Sequence, residues 1–468
     1  MRALYTVGRA TEHGNFTTDE ADGDGRETMK DLRNAAQRRK RRKQDEIFGF
    51  SFLAAACAVL LLLTVSCRKS SDWIQFRGEG GRGATSTGIS PPLALKWKFR
   101  LQLDGRTLRA FNPPVVKDDT IYFGSADGNF YALDIESGYM RWAFKSGAPI
   151  NSVPFVDDEQ VYFGSQDGKA YAVSRRDGLE NWSFRAGRPI NSSVERYKDS
   201  VIFVSDGGAV FFLSPEGQKQ FHVPNSTWYH YTFQMYDDVM YFAPGPGSHS
   251  FGPYDTRQQR HLWVLETSYL DAIWYSFPAL RNDLLFFSTL GYDGFEWYLS
   301  FYAFDRLSGR RVWQYEDSSR WGDSYTPDLD QLLLRGMELL DFMAPSVWKD
   351  LVIYAGGDAV VRAFDADTGN VVWEKEFDTP VSSAPIVAGD RIYFGLLGDG
   401  ELEFYEGQTG EAPARGSAPR LVCLSARDGR FLWDMELEGA ILSAPVAAGK
   451  RLMFGTDKSV FYILEEVF

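Results

Sequence analysis

Apolar residues come in short bursts along most of this chain, rich in Phe, Tyr, Trp, Val and Ile and closed by Gly, Asp, Asn or Ser. YFG (122–124), FYAL (130–133) and MRWAF (140–144) are such bursts. Aromatic and β-branched runs bounded by turn formers have the chemistry of strands. The recurrence at every third or fourth position that marks an amphipathic helix is nearly absent from the core region. SADGN (125–129) and SQDGK (165–169) supply the Asp-Gly pair favoured by tight hairpins, where a positive φ costs little.

The bursts recur as a unit. YALDIESGYMRW (131–142) is rewritten as YAVSRRDGLENW (171–182), AFDRLSGRRVW (303–313), AFDADTGNVVW (363–373) and CLSARDGRFLW (423–433). PYDTRQQRHLW (253–263) is a worn copy, and in GQKQFHV (217–223) Phe221 takes the aromatic place. A second phrase precedes the first, as in DTIYFGSADGNFYALD (119–134), EQVYFGSQDGKAYAVS (159–174), DRIYFGLLGDG (390–400) and KRLMFGTDKSVFYIL (450–464). A period of about 40 residues with about four strands is the signature of a propeller blade. The last unit, 442–468, stops before any tryptophan strand, while LALKWKFRLQL (93–103) is a tryptophan strand with no blade ahead of it. Pairing the two closes the ring and removes an exposed edge. The expected fold is an all-β, eight-bladed propeller of four-stranded antiparallel blades, with closing positions Trp97, Trp142, Trp182, Phe221, Trp263, Trp313, Trp373 and Trp433.

These phrases resemble the tryptophan-docking repeats of PQQ-type eight-bladed propellers, a superfamily of quinoprotein alcohol dehydrogenases and of non-catalytic, BamB-like lipoproteins. DWIQFRG (72–78) is similar to the opening segment of many PQQ-like repeat lipoproteins. The resemblance covers roughly 72–468 and is specific for fold rather than activity. It implies that each Trp stacks between neighbouring blades and that Gly138, Gly178, Gly309, Gly369 and Gly429 supply turns.

The N-terminus sets the compartment. RRKRRK (38–43) precedes the uncharged run IFGFSFLAAACAVLLLLTV (47–65), then SCRKSSDW. A basic region, an apolar run and a small residue before Cys67 form a lipoprotein leader with Cys67 acylated; Thr64 departs from the preferred Leu, and the run could instead span a bilayer as an anchor. Either way the positive-inside rule leaves 68–468 outside the cytoplasm, in a bacterial envelope, on its periplasmic or extracytoplasmic side. Met29 is a candidate true start. The expected domains are thus 1–66, a leader; 67–92, a linker with the FRG segment; and 93–468, the propeller. Net charge is −13, and the first 66 residues carry 11 Lys/Arg against 9 Asp/Glu, so the exported part is more acidic still. That balance excludes a nucleic-acid partner, which needs clustered cations. Of three cysteines, Cys57 lies in the apolar run and Cys423 in a strand, which leaves no disulfide framework.

Candidate chemistry is sparse. Quinone-dependent relatives carry a vicinal Cys pair, a catalytic Asp and Glu/Asn ligands to calcium; no Cys pair exists here, so PQQ and calcium are unsupported by motif. No catalytic and no metal residues are assigned. The histidines (13, 222, 230, 249, 261) do not fall at metal spacings. GEGGRG (78–83) lacks the strand and helix that a phosphate cradle needs and reads as a flexible connector. At the start of the innermost strands, PINSVP (149–154), PINSSV (189–194), WYSFP (274–278), PVSSAP (380–385) and AILSAP (440–445) align a ring of Asn112, Ser152, Ser192, Tyr231, Ser276, Met343, Ser383 and Ser443. It either lines the channel for water, an ion or a small ligand, or satisfies backbone groups where strands begin. Two insertions, 316–343 with a helical signal from Thr326 and the acidic, Gly/Pro-rich 397–420, interrupt the rhythm. The first docks a partner or packs on the ring; the second reads as a mobile loop. Three readings follow: a non-catalytic, membrane-held envelope scaffold for protein partners, possible in outer-membrane protein assembly; a quinone-dependent or other small-molecule enzyme working in the channel; and an extracytoplasmic sensor.

Overall fold

The computed structural model describes residues 72–101, 111–223, 233–242, 250–266, 272–292, 297–318, 344–398 and 417–467. The leader with Cys67, the ring positions Tyr231 and Met343, and the bulk of both insertions lie outside the described residues. The chain divides into Met1–Lys69 and Ser70–Phe468, and the described residues belong to the second unit. Among them, no helix is long and apolar enough to cross a membrane.

Eight antiparallel blades succeed one another around a central channel. Blade 1 runs outward through Val115–Lys117, Thr120–Gly124, Asn129–Asp134 and Met140–Lys145. Blades 2 to 8 open with the inner strands Phe155–Val156, Glu195–Tyr197, Gln234–Tyr236, Ala279–Arg281, Ser346–Trp348, Ile386–Ala388 and Val446–Ala448. Blade 5 is taller than its neighbours, with Leu284–Tyr292 and Trp297–Asp305 each nine residues long. Blade 8 borrows its outer strand from the N-terminal side: Leu93–Arg100 pairs antiparallel with Val460–Glu466, placing Trp97 opposite Ile463. Lys96, bonded to Glu465 and Glu136 at 2.8 Å, ties this strand to both blade 8 and blade 1.

Each docking tryptophan does two things. Its indole N–H donates to a carbonyl of the next blade: Trp97 to Ile135 (3.0 Å), Trp142 to Arg175 (3.0 Å), Trp182 to Pro215 (2.8 Å), Trp263 to Arg306 (2.9 Å), Trp313 to Ala366 (2.9 Å) and Trp373 to Ala426 (3.2 Å). Its ring covers a glycine of that same turn. At Gly369 a Cβ would lie 2.6 Å from the Trp313 ring, and φ is +74° besides, so only glycine fits. The glycine serving each tryptophan therefore comes from the following blade's phrase rather than its own. Trp433 faces blade 8, whose third and outer strands come from opposite ends of the chain and share no such turn. A bulge one residue ahead of the aromatic aims it at its neighbour, and the residue paired across from it is small: Ala132, Ala172, Ala303, Ala363 or Cys423.

The worn interface between blades 3 and 4 changes all three parts together. Phe221 replaces the tryptophan, Phe212 fills the small slot and stacks on it at 4.0 Å, and Gln259, at φ +53°, stands where the turn glycine belongs. Volume lost from one side is restored on the other. Phe221→Trp alone is expected to cost about 2 kcal/mol through overpacking, whereas Phe221→Trp with Phe212→Ala and Gln259→Gly should equal or exceed the wild type in urea midpoint. A single variant as stable as the triple would show that the three positions are not a matched set.

Residues 72–92 are not the free connector that their composition predicts. They form a strap that runs into the channel along the inner strands. Trp73 exchanges backbone bonds with Val116 of blade 1, and Ile74 accepts from Val156 of blade 2. Phe76 meets Phe277, at the start of blade 5, edge-on with ring centres 5.3 Å apart. Arg77, 2% exposed, donates to Pro345 O (2.6 Å), Ser346 Oγ (3.0 Å) and Pro385 O (3.3 Å) at blades 6 and 7. Ala84–Thr85 then adds a parallel strand to blade 7, and Ile89 accepts from Tyr393 at 2.9 Å. Glycines at 78, 80, 81 and 83 with positive φ let the strap bend this closely over the inner strands.

Candidate functional site

One mouth of the channel is bordered by the loops that lead into the inner strands and by the turns between second and third strands. The described members of the predicted ring lie here, and their polar atoms turn into the sheets. Ser152 Oγ accepts from Gly164 N–H at 2.7 Å and donates to its carbonyl at 3.0 Å. Ser192, Ser276 and Ser383 accept from the N–H groups of Val204 (2.9 Å), Ser288 (2.8 Å) and Gly395 (2.9 Å), twelve residues ahead in each case. Asn112 donates to Ile150 O at 2.7 Å, and Ser443 is buried in the equivalent place. The hydroxyls thus complete strand ends that the regular ladder leaves short. Beside the ring, Ser193 and Ser382 are buried with hydroxyls that meet no partner among the described residues. Between blades 2 and 3 a polar chain crosses the mouth: Gln166 donates to Asn191 (3.3 Å), whose amide donates to both oxygens of Asp206 (3.2 and 3.0 Å). Burial raises the Asp206 pKa.

Buried charge appears where the repeat has apolar residues. Glu195 stands in the inner-strand position held by Val115, Phe155, Ala279, Ile386 and Val446 in five other blades and by the uncharged Gln234 and Ser346 in the remaining two. It accepts from Met235 N–H at 3.1 Å, beside Gln234, whose buried amide meets no hydrogen-bond partner among the described residues and lies against Gly81 of the strap. Burial pushes the Glu195 carboxyl from 4.5 up to about 8. The native state then holds a proton that the unfolded chain releases, so this contribution is intact below pH 4.5 and is lost as pH rises to about 8. Glu195→Gln is expected to flatten the unfolding free energy across that window, removing a slope of about 1.4 kcal/mol per pH unit. Parallel pH profiles for the two proteins would refute the buried protonated carboxyl.

Two arginines missed in the sequence join blades in pairs. Arg306 reaches Asp237 (3.0 Å) and Tyr241 Oη (3.1 Å) of blade 4 from its place in blade 5. Arg362 of blade 6 bonds Asp358 and, across the interface, Asp317 of blade 5, both at 2.7 Å. For Arg362 the signal lay in the same column logic, a charged residue inside an otherwise apolar strand.

A second concavity, of about 480 Å³, opens on the strap side between blades 1 and 2, lined by Asp118, Tyr122, Arg141, Asp158, Arg175 and Arg176 among others. Its charges largely neutralise one another, with Arg175 on Asp118 at 2.8 Å and Arg141 on Asp134 at 2.6 Å. Among the described residues no group of three His, Cys, Asp or Glu stands close enough to hold one ion. Cys423 sits in the small slot opposite Trp433, its thiol pushed up to about 12 by burial. Of the histidines, His222 stacks on Phe211 and His261 bonds the Gly252 carbonyl at 2.9 Å.

The sequence profile described as outer membrane protein assembly factor BamB matches residues 94–227, 300–413 and 414–466. BamB from Moraxella catarrhalis is 17% identical with a TM-score of 0.55, covering 81% of this chain and 98% of that one. The quinohemoprotein alcohol dehydrogenase ADHIIG from Pseudomonas putida HK5 is 15% identical with a TM-score of 0.60, covering 85% of this chain and 80% of that one. At these identities the likeness is one of fold. The quinoprotein alcohol dehydrogenase PedH of Pseudomonas putida is 28% identical over 124 residues, 24% of this chain, and the match spans 19% of that protein.

Proposed function

Since the chain belongs to the family of the outer membrane protein assembly factor BamB, we propose that it is an envelope scaffold that holds protein partners during outer-membrane protein assembly. What supports the reading, beyond the family, is a wheel that lays its own chain along the inner strands of its channel and turns its ring hydroxyls into its own strands. Binding then falls to loops and rim, with the 316–343 and 397–420 insertions as candidate contacts. Acylation at Cys67, or a single apolar span at 47–65, holds the wheel to the membrane on the periplasmic side. The test is depletion in the bacterium that makes it: folded, heat-modifiable outer-membrane barrels should fall in abundance, and unchanged barrels would refute the proposal. The PedH and ADHIIG likenesses favour a second reading, a small-molecule enzyme using the central channel. Saturable heat stabilisation by a quinone with calcium, together with dye-linked alcohol oxidation, would support that reading over the scaffold.

A further inference from the structure

The exposed apolar side chains are not scattered. Of the nine large ones on the described surface, all but Val264 stand at the corner where a blade's third strand hands over to its outer strand. Leu179 of blade 2, Tyr139 and Met140 of blade 1, Leu95 of blade 8, Phe431 of blade 7 and Val372 of blade 6 form an arc over five consecutive blades, each 43–79% exposed. These corners share one face with the turns that follow the inner strands, because the two are bonded together: Ile135 N–H to Asp119 O, Arg175 N–H to Glu159 O, Ala366 N–H to Asp350 O and Ala426 N–H to Asp390 O. The two ends of the strap lie on this face too, since Asp118 N–H bonds Asp72 and Gly88 packs on Gly389. Singly exposed apolar residues are ordinary, but a set gathered on one face marks a contact surface.

We propose that this face rests on a lipid bilayer, with the arc from blade 6 through blade 8 to blade 2 dipping into the headgroup region. The inference rests on the membrane-held reading above. Two observations choose lipid over a protein. The corners of a propeller face lie around one broad disc, which a flat surface touches at many points at once and a small partner does not. The described chain also begins on this face, at Asp72, seven residues after the apolar run 47–65 ends, a reach of at most about 25 Å. Apolar side chains beside a tyrosine suit the boundary between headgroup and acyl chain. The chain is acidic, at −13, so the contact is hydrophobic and should survive high salt.

The experiment uses the full chain in vesicles of phosphatidylethanolamine and phosphatidylglycerol doped with a photoactivatable lipid, with adducts mapped by mass spectrometry. Adducts are expected at Tyr139–Met140, Leu179 and Phe431, persisting in high salt, and not at exposed Arg188 on the opposite face. Tyr139→Ser/Met140→Ser/Phe431→Ser should lower corner adducts roughly tenfold while the chain stays with the vesicles. Vesicle-bound protein with adducts on both faces alike, or with corners shielded by a second copy or another protein, overturns the orientation but leaves the tether standing. A chain that fails to sediment with vesicles overturns both.

Discussion

Arg362→Ala is expected to cost about 4 kcal/mol of stability, the loss typical when one partner of a buried ion pair is removed. Arg362 and Asp358 are each 1% exposed, and the guanidinium also lies 5.5 Å over the Phe301 ring of blade 5. Burial already raises the Asp358 pKa even with Arg362 beside it; without the arginine, the carboxylate is left in the protein interior uncompensated. Two consequences separate this account from simple loss of packing. The deficit should shrink as pH falls, because Asp358 can then take up a proton in place. Arg362→Met with Asp358→Leu should recover most of the loss, since exchanging a whole buried pair for apolar residues is often close to neutral. Urea unfolding of the three proteins checks both. A double variant no better than the single would refute the pair as the cause.

Gly369→Ala comes next, at about 3 kcal/mol, from the left-handed backbone of an L-residue plus a methyl forced against Trp313. Gly187 provides the control: its φ is +87°, yet nothing lies within 4 Å of a Cβ there. Gly187→Ala should therefore lose only the backbone part, about 1 kcal/mol. Equal losses at the two glycines would mean that the indole contact contributes nothing.

The number of blades and their closure were legible because each blade is specified locally, by strand-forming bursts, hairpin turns and one aromatic punctuation mark. Trp97 pairing beside Ile463 followed from the two incomplete ends alone. The strap was not legible for the opposite reason. It carries no repeat, its glycines look like a linker, and Arg77 finds its partners 268 and more residues away. At the ring serines two readings stood open, because which way a hydroxyl turns depends on an N–H twelve residues ahead, which no local pattern reveals. Glu195 and Arg362 could have been found by aligning the blades in columns and asking which charged residue breaks an apolar one.

Leu93–Arg100 leaves the ribosome before any blade it will belong to, yet its place in the wheel exists only after residues 446–466 have been made. This strand is made before all eight blades yet is among the last that can dock, and until then blade 8 and blade 1 each show an unfinished side. Vectorial folding cannot complete this molecule, and the two open sides are edges on which a second copy of the nascent chain can pair until the circle is joined.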